Sequence, residues 1–228
     1  MPKIPHKNKY LRYIFWVMAI VWAAPGTGAQ GAAVSADDGA RDYPNRPIRF
    51  ILPGGPGSTG LMEDAELLGF LREREPRAQW ITSVCTGALV LGAAGLLRGY
   101  RAATHWSVMD LLPVLGAIPV SERVVIDRNR VTGGGVTAGI DFALTLIAHI
   151  WGEDQAKLIQ LGNEYDPAPP FDAGHPDRVP DVAAHYRGLT GEMTAARRAA
   201  AAARACRRKR LDAGRSAHRS PARSCAAG

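Results

Sequence analysis

The stretch Trp80-Ile81-Thr82-Ser83-Val84-Cys85-Thr86-Gly87-Ala88-Leu89-Val90-Leu91-Gly92-Ala93-Ala94-Gly95-Leu96-Leu97 decides how this chain is read. Residues 79–84 form a short β-prone run and predict a strand. Residues 86–97 are apolar, of helical length and rich in small side chains, and predict a helix. The cysteine between them stands on a strand-to-helix turn, at the positive end of a helix. That position favours the thiolate, which is the reactive form. This is the layout of a nucleophile elbow. The competing reading is a buried small hydrophobe, a common role of free cysteine.

Working outward, residues 46–52 predict a strand that runs into Pro53-Gly54-Gly55-Pro56-Gly57-Ser58-Thr59-Gly60, a flexible loop. Residues 61–74 predict a helix with Glu63, Asp64 and Glu66 near its start, where the helix dipole favours acids. Downstream, Gly99 and Tyr100 turn the chain into a short strand over 101–104, and 107–115 reads as helix. Residues 123–127 and 130–132 read as two strands around an Arg128-Asn129 turn. Residues 137–151 form a strongly apolar helix and 153–162 another. The run Asp166-Pro167-Ala168-Pro169-Pro170-Phe171 is extended, because proline forbids helix there. Strands alternating with helices predict an α/β fold with a mostly parallel sheet covered on both faces. Active sites of such sheets lie at the carboxyl ends of the strands. The 53–60 loop, Cys85 and His105-Trp106 all fall at that edge. Gly133-Gly134-Gly135 lacks the pattern of a phosphate loop and reads as a tight strand-to-helix turn.

The chain has 228 residues, 46% of them hydrophobic, enough for one domain with a core. Its net charge of +7 is unevenly spread: residues 193–228 hold ten Lys/Arg and one acid, and 1–12 hold four basic residues. The middle is net negative, which argues against specific nucleic-acid binding. Of the three cysteines, Cys206 and Cys225 lie in the basic tail and match no metal or redox spacing, and no C-x-x-C occurs. No metal or cofactor is predicted. Residues 1–29 read as a signal peptide, with basic residues, an apolar stretch over 14–24 and small residues at Thr27-Gly28-Ala29. That stretch is short for a transmembrane helix, and no span is predicted once it is removed. Residues 30–47 read as linker, 48–180 as the domain, and 181–228 as an Ala/Arg-rich tail, disordered or loosely helical.

The elbow followed by Arg101-Ala102-Ala103-Thr104-His105-Trp106 resembles the isonitrile hydratases of the ThiJ/PfpI superfamily. So do residues 115–125, 132–144 and 164–174, with Pro53-Gly54-Gly55 and Leu61-Met62-Glu63-Asp64 upstream. The resemblance covers about residues 51–178. It implies a flavodoxin-like, class I glutamine-amidotransferase-like parallel-sheet sandwich, here without its first strands. It also implies hydration of an isocyanide, a small-molecule substrate, to an N-substituted formamide. Cys85 would be the nucleophile and Thr86 would aid it. Gly54 and Gly55 would form the oxyanion or substrate loop. His105 would be a hydrogen-bonded histidine behind the site rather than a general base. Relatives in this family are commonly homodimers and cytoplasmic.

The chain departs from that pattern upstream. Family members carry an acidic residue near the cysteine on a first strand and helix, and Asp37, Asp38 and Asp42 match nothing of the kind. Residues 1–53 instead resemble the start of a tricarboxylate-type periplasmic solute receptor, which suggests a chimeric or rearranged reading frame and export from the cytoplasm. Three readings stand together: a hydratase-like enzyme impaired by the missing acid, an inactive binding or structural module, and a receptor fragment. A helix-turn-helix regulator fits poorly, since residues after 181 show too little apolar patterning.

Overall fold

Ile48–Leu52, Ala78–Val84, Val124–Asp127 and Arg130–Gly133 form the main sheet in a computed structural model that describes residues 48–217. The signal-peptide and linker readings, and Cys225, lie outside those residues. The strands of this sheet are β1 (Ile48–Leu52), β2 (Ala78–Val84), β5 (Val124–Asp127) and β6 (Arg130–Gly133). Their order is β1-β2-β6-β5. β1, β2 and β6 run parallel, and β5 closes the edge as an antiparallel hairpin with β6. A second, two-stranded parallel sheet pairs β3 (Arg101–Ala102) with β4 (Ile118–Pro119).

The helices are α1 (Ser58–Leu61), α2 (Ala65–Arg74), α3 (Gly87–Ala94), α4 (Leu111–Val114), α5 (Ala138–Trp151), α6 (Glu153–Gly162), α7 (Pro180–Leu189) and α8 (Gly191–Ala217). Two of them cover opposite faces of the sheet. Successive residues of a strand point to opposite sides. On β2, Ile81 joins the core cluster with Leu89, Leu91 and Leu97, whereas the Trp80 ring meets His149 of α5 edge-on with centroids 5.0 Å apart. α3 is the centre of the core. It is apolar around its whole circumference and almost entirely buried, as a helix without a polar face must be. It stops at Ala94, short of the predicted Leu97, because Gly95 turns left-handed (φ 84). The predicted helix over 61–74 also starts later, at Ala65, where Asp64 caps it by accepting from the Leu67 N–H at 2.9 Å.

Arg130 is a charge at the start of a core strand, with 2% of its surface exposed. Each of its three nitrogens donates a hydrogen bond. Nε donates to the Leu96 carbonyl at 2.8 Å, Nη1 to Asn129 Oδ1 at 2.7 Å and Nη2 to Glu75 Oε1 at 2.7 Å, with the Tyr100 ring below the guanidinium. A buried charge is tolerated only when paired in this way. Arg130→Met is expected to lower unfolding free energy in urea by about 2 kcal/mol. The loss stays below the full cost of splitting a buried pair because the Glu75 side chain, 34% exposed, regains water. An unchanged urea midpoint would show that these bonds add nothing.

The basic tail is the main departure from the sequence reading. The tail 181–228 is expected to be disordered or loosely helical; its described residues, to 217, form α7, which starts at Pro180, and the long α8. α8 packs on α1, α3 and α4. Alanine has the highest helix propensity, and Arg197, Ala200, Ala201, Arg204 and Arg208 recur at helical spacing along one face. Ala200 and Ala201 are buried in the core cluster. Average composition hides this stripe, because the opposite face is a run of solvated arginines.

Candidate active site

The parallel strands end level with one another around Cys85. In register, Leu52 of β1 faces Ser83, and Val84 of β2 faces Gly133 of β6. The Cys85 N–H donates to the Gly133 carbonyl at 3.0 Å, and its own carbonyl accepts from Thr104 Oγ1 at 2.8 Å. Held from both sides, Cys85 adopts φ 58. That left-handed region is unfavourable for a residue with a Cβ and persists only where the surroundings impose it. The turn points the side chain out of the sheet and starts α3 immediately behind it.

The 53–57 loop closes on the cysteine from the end of β1. Gly54 is the point of contact. A Cβ there would lie 2.5 Å from Cys85 Cβ and 2.8 Å from Sγ, so only glycine admits this approach. Gly55 is fixed by Thr86: its N–H donates to Thr86 Oγ1 at 2.9 Å. Its carbonyl accepts from Ser58 Oγ at 2.8 Å and from Arg197 Nη2 at 3.1 Å. The Gly55 N–H is therefore committed to Thr86 in this arrangement. Ser58 Oγ lies 3.0 Å from Thr86 Oγ1, which completes a buried hydroxyl pair behind the loop.

The electrostatics of the thiol are mixed. Burial pushes the Cys85 thiol above its ordinary value. The Thr86 N–H, the Arg197 charge and the Thr86 hydroxyl pull in the other direction and do not fully offset it. The helix N-terminus thus acts as predicted in sign, through the Thr86 N–H, but desolvation outweighs it. His105 is kept neutral, its pKa lowered by burial and then by the Arg197 charge. Its Nδ1 accepts from the Ser107 N–H at 3.3 Å and lies 2.8 Å from Ser107 Oγ, capping the short turn Trp106–Val108. The ring also packs among Trp106 and Tyr186 of α7. These contacts describe a positioned ring with one nitrogen already occupied. Among the described residues, no group of His, Cys, Asp and Glu could hold a metal ion, and no helix is long and apolar enough to cross a membrane.

A strand, a left-handed cysteine and a buried helix at the carboxyl edge of a parallel sheet form a pattern that recurs among known proteins. The DJ-1/PfpI family profile matches residues 16–149 of this chain. The chain belongs to the DJ-1/PfpI family. The match starts upstream of the described residues and takes in segments read from the sequence as signal peptide and linker. Among DJ-1/PfpI relatives, isonitrile hydratase of Pseudomonas putida is 53% identical over 165 residues, 72% of each chain. A THiJ/PfpI family protein from Pseudomonas syringae, known from its crystal structure, superimposes with a TM-score of 0.63 at 47% identity. The match covers 66% of this chain and 64% of that one, so the chain spans slightly less than two thirds of that structure. An HTH-type transcriptional regulator of Pseudomonas aeruginosa is 29% identical over 61% of this chain, which corresponds to 36% of the regulator. The fold is accordingly the flavodoxin-like, class I glutamine-amidotransferase-like α/β sandwich.

Of the residues predicted for the site in this DJ-1/PfpI chain, Cys85, Thr86, Gly54 and Gly55 come together at one point, and His105 stands beside it under Tyr186. Sequence reading missed three participants. Ser58 and Thr104 lie inside stretches already singled out, as polar residues next to a loop and a strand end. Arg197 had no local signal that distinguished it from the other basic residues of the tail. It is 4% exposed, it donates to the Gly55 carbonyl, and its Nε is buried with no hydrogen-bond partner among the described residues. Only the phase of α8 brings it there.

Proposed function

We propose that this protein hydrates an isocyanide to an N-substituted formamide with Cys85 as nucleophile. The Cys85 elbow, pressed by Gly54 and backed by Thr86, carries this reading, and the identity to the P. putida isonitrile hydratase supplies the substrate class. In the first step the sulfur bonds to the terminal isocyanide carbon and the thiol proton passes to that carbon. The product is a thioimidate, R–N=CH–S–Cys85. Water then adds across the C=N bond, and the C–S bond breaks to release R–NH–CHO and regenerate the thiol. Atoms and protons balance with no cofactor. The resting thiol carries the proton that ends on the formyl carbon. Thr86, through its N–H and hydroxyl, steadies charge on sulfur during attack. Arg197 is a positioning residue that fixes Gly55 and adds positive charge near the sulfur.

The test is conversion of cyclohexyl isocyanide by the purified full chain, followed as loss of isocyanide and appearance of one equivalent of formamide. Absence of turnover with folded protein would leave the second reading, an inactive binding module. That reading is favoured by the burial of the thiol, which the Thr86 and Arg197 contributions offset only in part. The same proposal takes in a homodimer and the signal and linker boundaries at residues 29 and 47, with a periplasmic location where the N-terminal signal is used and a cytoplasmic one, as in the family, where it is not.

The pH dependence follows from the direction of the shift. A thiol held above its ordinary value is protonated at neutral pH, so alkylation by iodoacetamide is expected to accelerate continuously as pH rises past the ordinary thiol range. Arg197→Gln removes a charge that lowers the pKa. The midpoint of the rate profile should move to higher pH, whereas Arg197→Lys should largely restore it. Superimposable profiles for wild type and Arg197→Gln would remove Arg197 from the site's electrostatics.

A further inference from the structure

At the C-terminal end of α3, opposite the elbow, a cavity of about 510 Å³ opens between α2, α3 and α8. That volume is in the range of small-molecule sites. Five guanidiniums line it, Arg72, Arg98, Arg204, Arg207 and Arg208, against one carboxylate, Asp212. Asp212 lies 3.9 Å from Arg98, and both are exposed, so this pair is weak.

Two of the arginines are positioned in advance. Arg204 Nε donates to the Met62 carbonyl at 2.8 Å, and Arg208 Nη1 donates to the Leu115 carbonyl at 3.0 Å. These bonds take one edge of each guanidinium and leave other N–H groups available. Arg204 Nη2 is buried with no hydrogen-bond partner among the described residues. An unpartnered buried donor on a charged group is costly. Burial, followed by the charges of Arg207 and Arg72, lowers the Arg204 pKa, and Glu63 offsets only part of this. Like charges gathered around a partly enclosed space destabilise the fold unless something neutralises them.

We propose that this groove binds a small polyanion bearing phosphate groups. A single carboxylate would leave most of the guanidiniums unmatched. Several phosphate oxygens, each able to accept paired N–H bonds in the fork geometry of arginine, match the number and type of donors present. The site is separate from Cys85 and does not rest on the hydratase reading. Both sites share α8, which carries Arg197 toward the elbow and Arg204, Arg207 and Arg208 toward the groove.

The experiment is calorimetric titration of the full chain with inorganic pyrophosphate, with sodium chloride at matched ionic strength as control, alongside thermal unfolding. Saturable 1:1 binding and a raised melting temperature are expected, because a ligand that binds only the folded state stabilises it. Arg204→Gln should weaken binding by about tenfold or more. Asp212→Asn, which removes the one carboxylate, should tighten binding, a gain that poor folding cannot mimic. No saturable binding above the salt control would overturn the site. So would affinity unchanged in both variants. Binding at many equivalents per chain, or tighter binding to an oligonucleotide that is indifferent to Arg204→Gln, would identify only a polyelectrolyte surface and would also overturn it.

Discussion

Cys85→Ala is expected to abolish isocyanide hydration, lowering turnover by at least ~10³-fold, the scale for removing a covalent nucleophile. The variant should still fold. Alanine and cysteine face the same penalty at φ 58, since both carry a Cβ, and the bonds that impose this angle come from the backbone of Cys85 to Gly133 and Thr104. Only the sulfur is lost, and the neighbours that grip the turn remain. The urea midpoint should therefore shift by no more than a change of about 1 kcal/mol implies. Formamide formation and the urea curve, measured on the same preparation, separate chemistry from folding. Turnover by the alanine variant at the wild-type rate would refute the nucleophile assignment, and with it the thioimidate route. Trapping supports the same test from the other side. If the thioimidate accumulates, mass spectrometry of the wild type should show a Cys85 adduct heavier by one isocyanide, and the variant should show none.

Gly87→Ala is expected to have the largest effect on stability, a loss of about 3 kcal/mol or more. A Cβ at this position would sit 2.1 Å from the Leu52 carbonyl oxygen and 2.8 Å from its carbon. Both are backbone atoms of the strand end and cannot rotate away. β1 and the first turn of α3 would have to separate, and they meet where the core is most tightly filled, beside Ala88 and Leu89 at 0% exposure. The 53–57 loop leaves β1 at this point, so Gly54 would lift from the thiol as well. The readouts are the urea midpoint and the rate of Cys85 alkylation, which should rise as the loop withdraws. Gly60→Ala is the control, because a Cβ there meets nothing within 4 Å and the residue lies in a helix. Its effect should stay within about 0.5 kcal/mol. Equal midpoints for the two variants would mean that β1 and α3 do not pack as closely as described.

Much of the site was legible because it is local. Strand, cysteine and helix follow one another within twenty residues, so period and composition were enough to place Cys85 on a turn and Thr86 at the head of a helix. The order of the segments then brought the 53–60 loop and His105 to the same edge, as the topology of parallel sheets requires. What composition could not supply was phase. Arg197 and Arg210 look alike in a list of basic residues, but they stand about three and a half turns apart on α8, and Arg197 is the one that donates to Gly55 whereas Arg210 is exposed. The Ala/Arg stretch was read as solvated because its mean polarity is high, although the stripe through Ala200 and Ala201 is apolar enough to dock.

The thiol illustrates the same division. Local sequence places a cysteine at the elbow and, behind it, the start of a helix that favours its charged form, since both follow from neighbouring residues along the chain. Tertiary structure alone decided the balance. Gly54 and the packing around the elbow remove water from the sulfur, Arg197 returns a charge from more than a hundred residues away, and burial wins. Desolvation depends on everything that surrounds an atom, and that is set by the packed fold rather than by any local stretch of sequence.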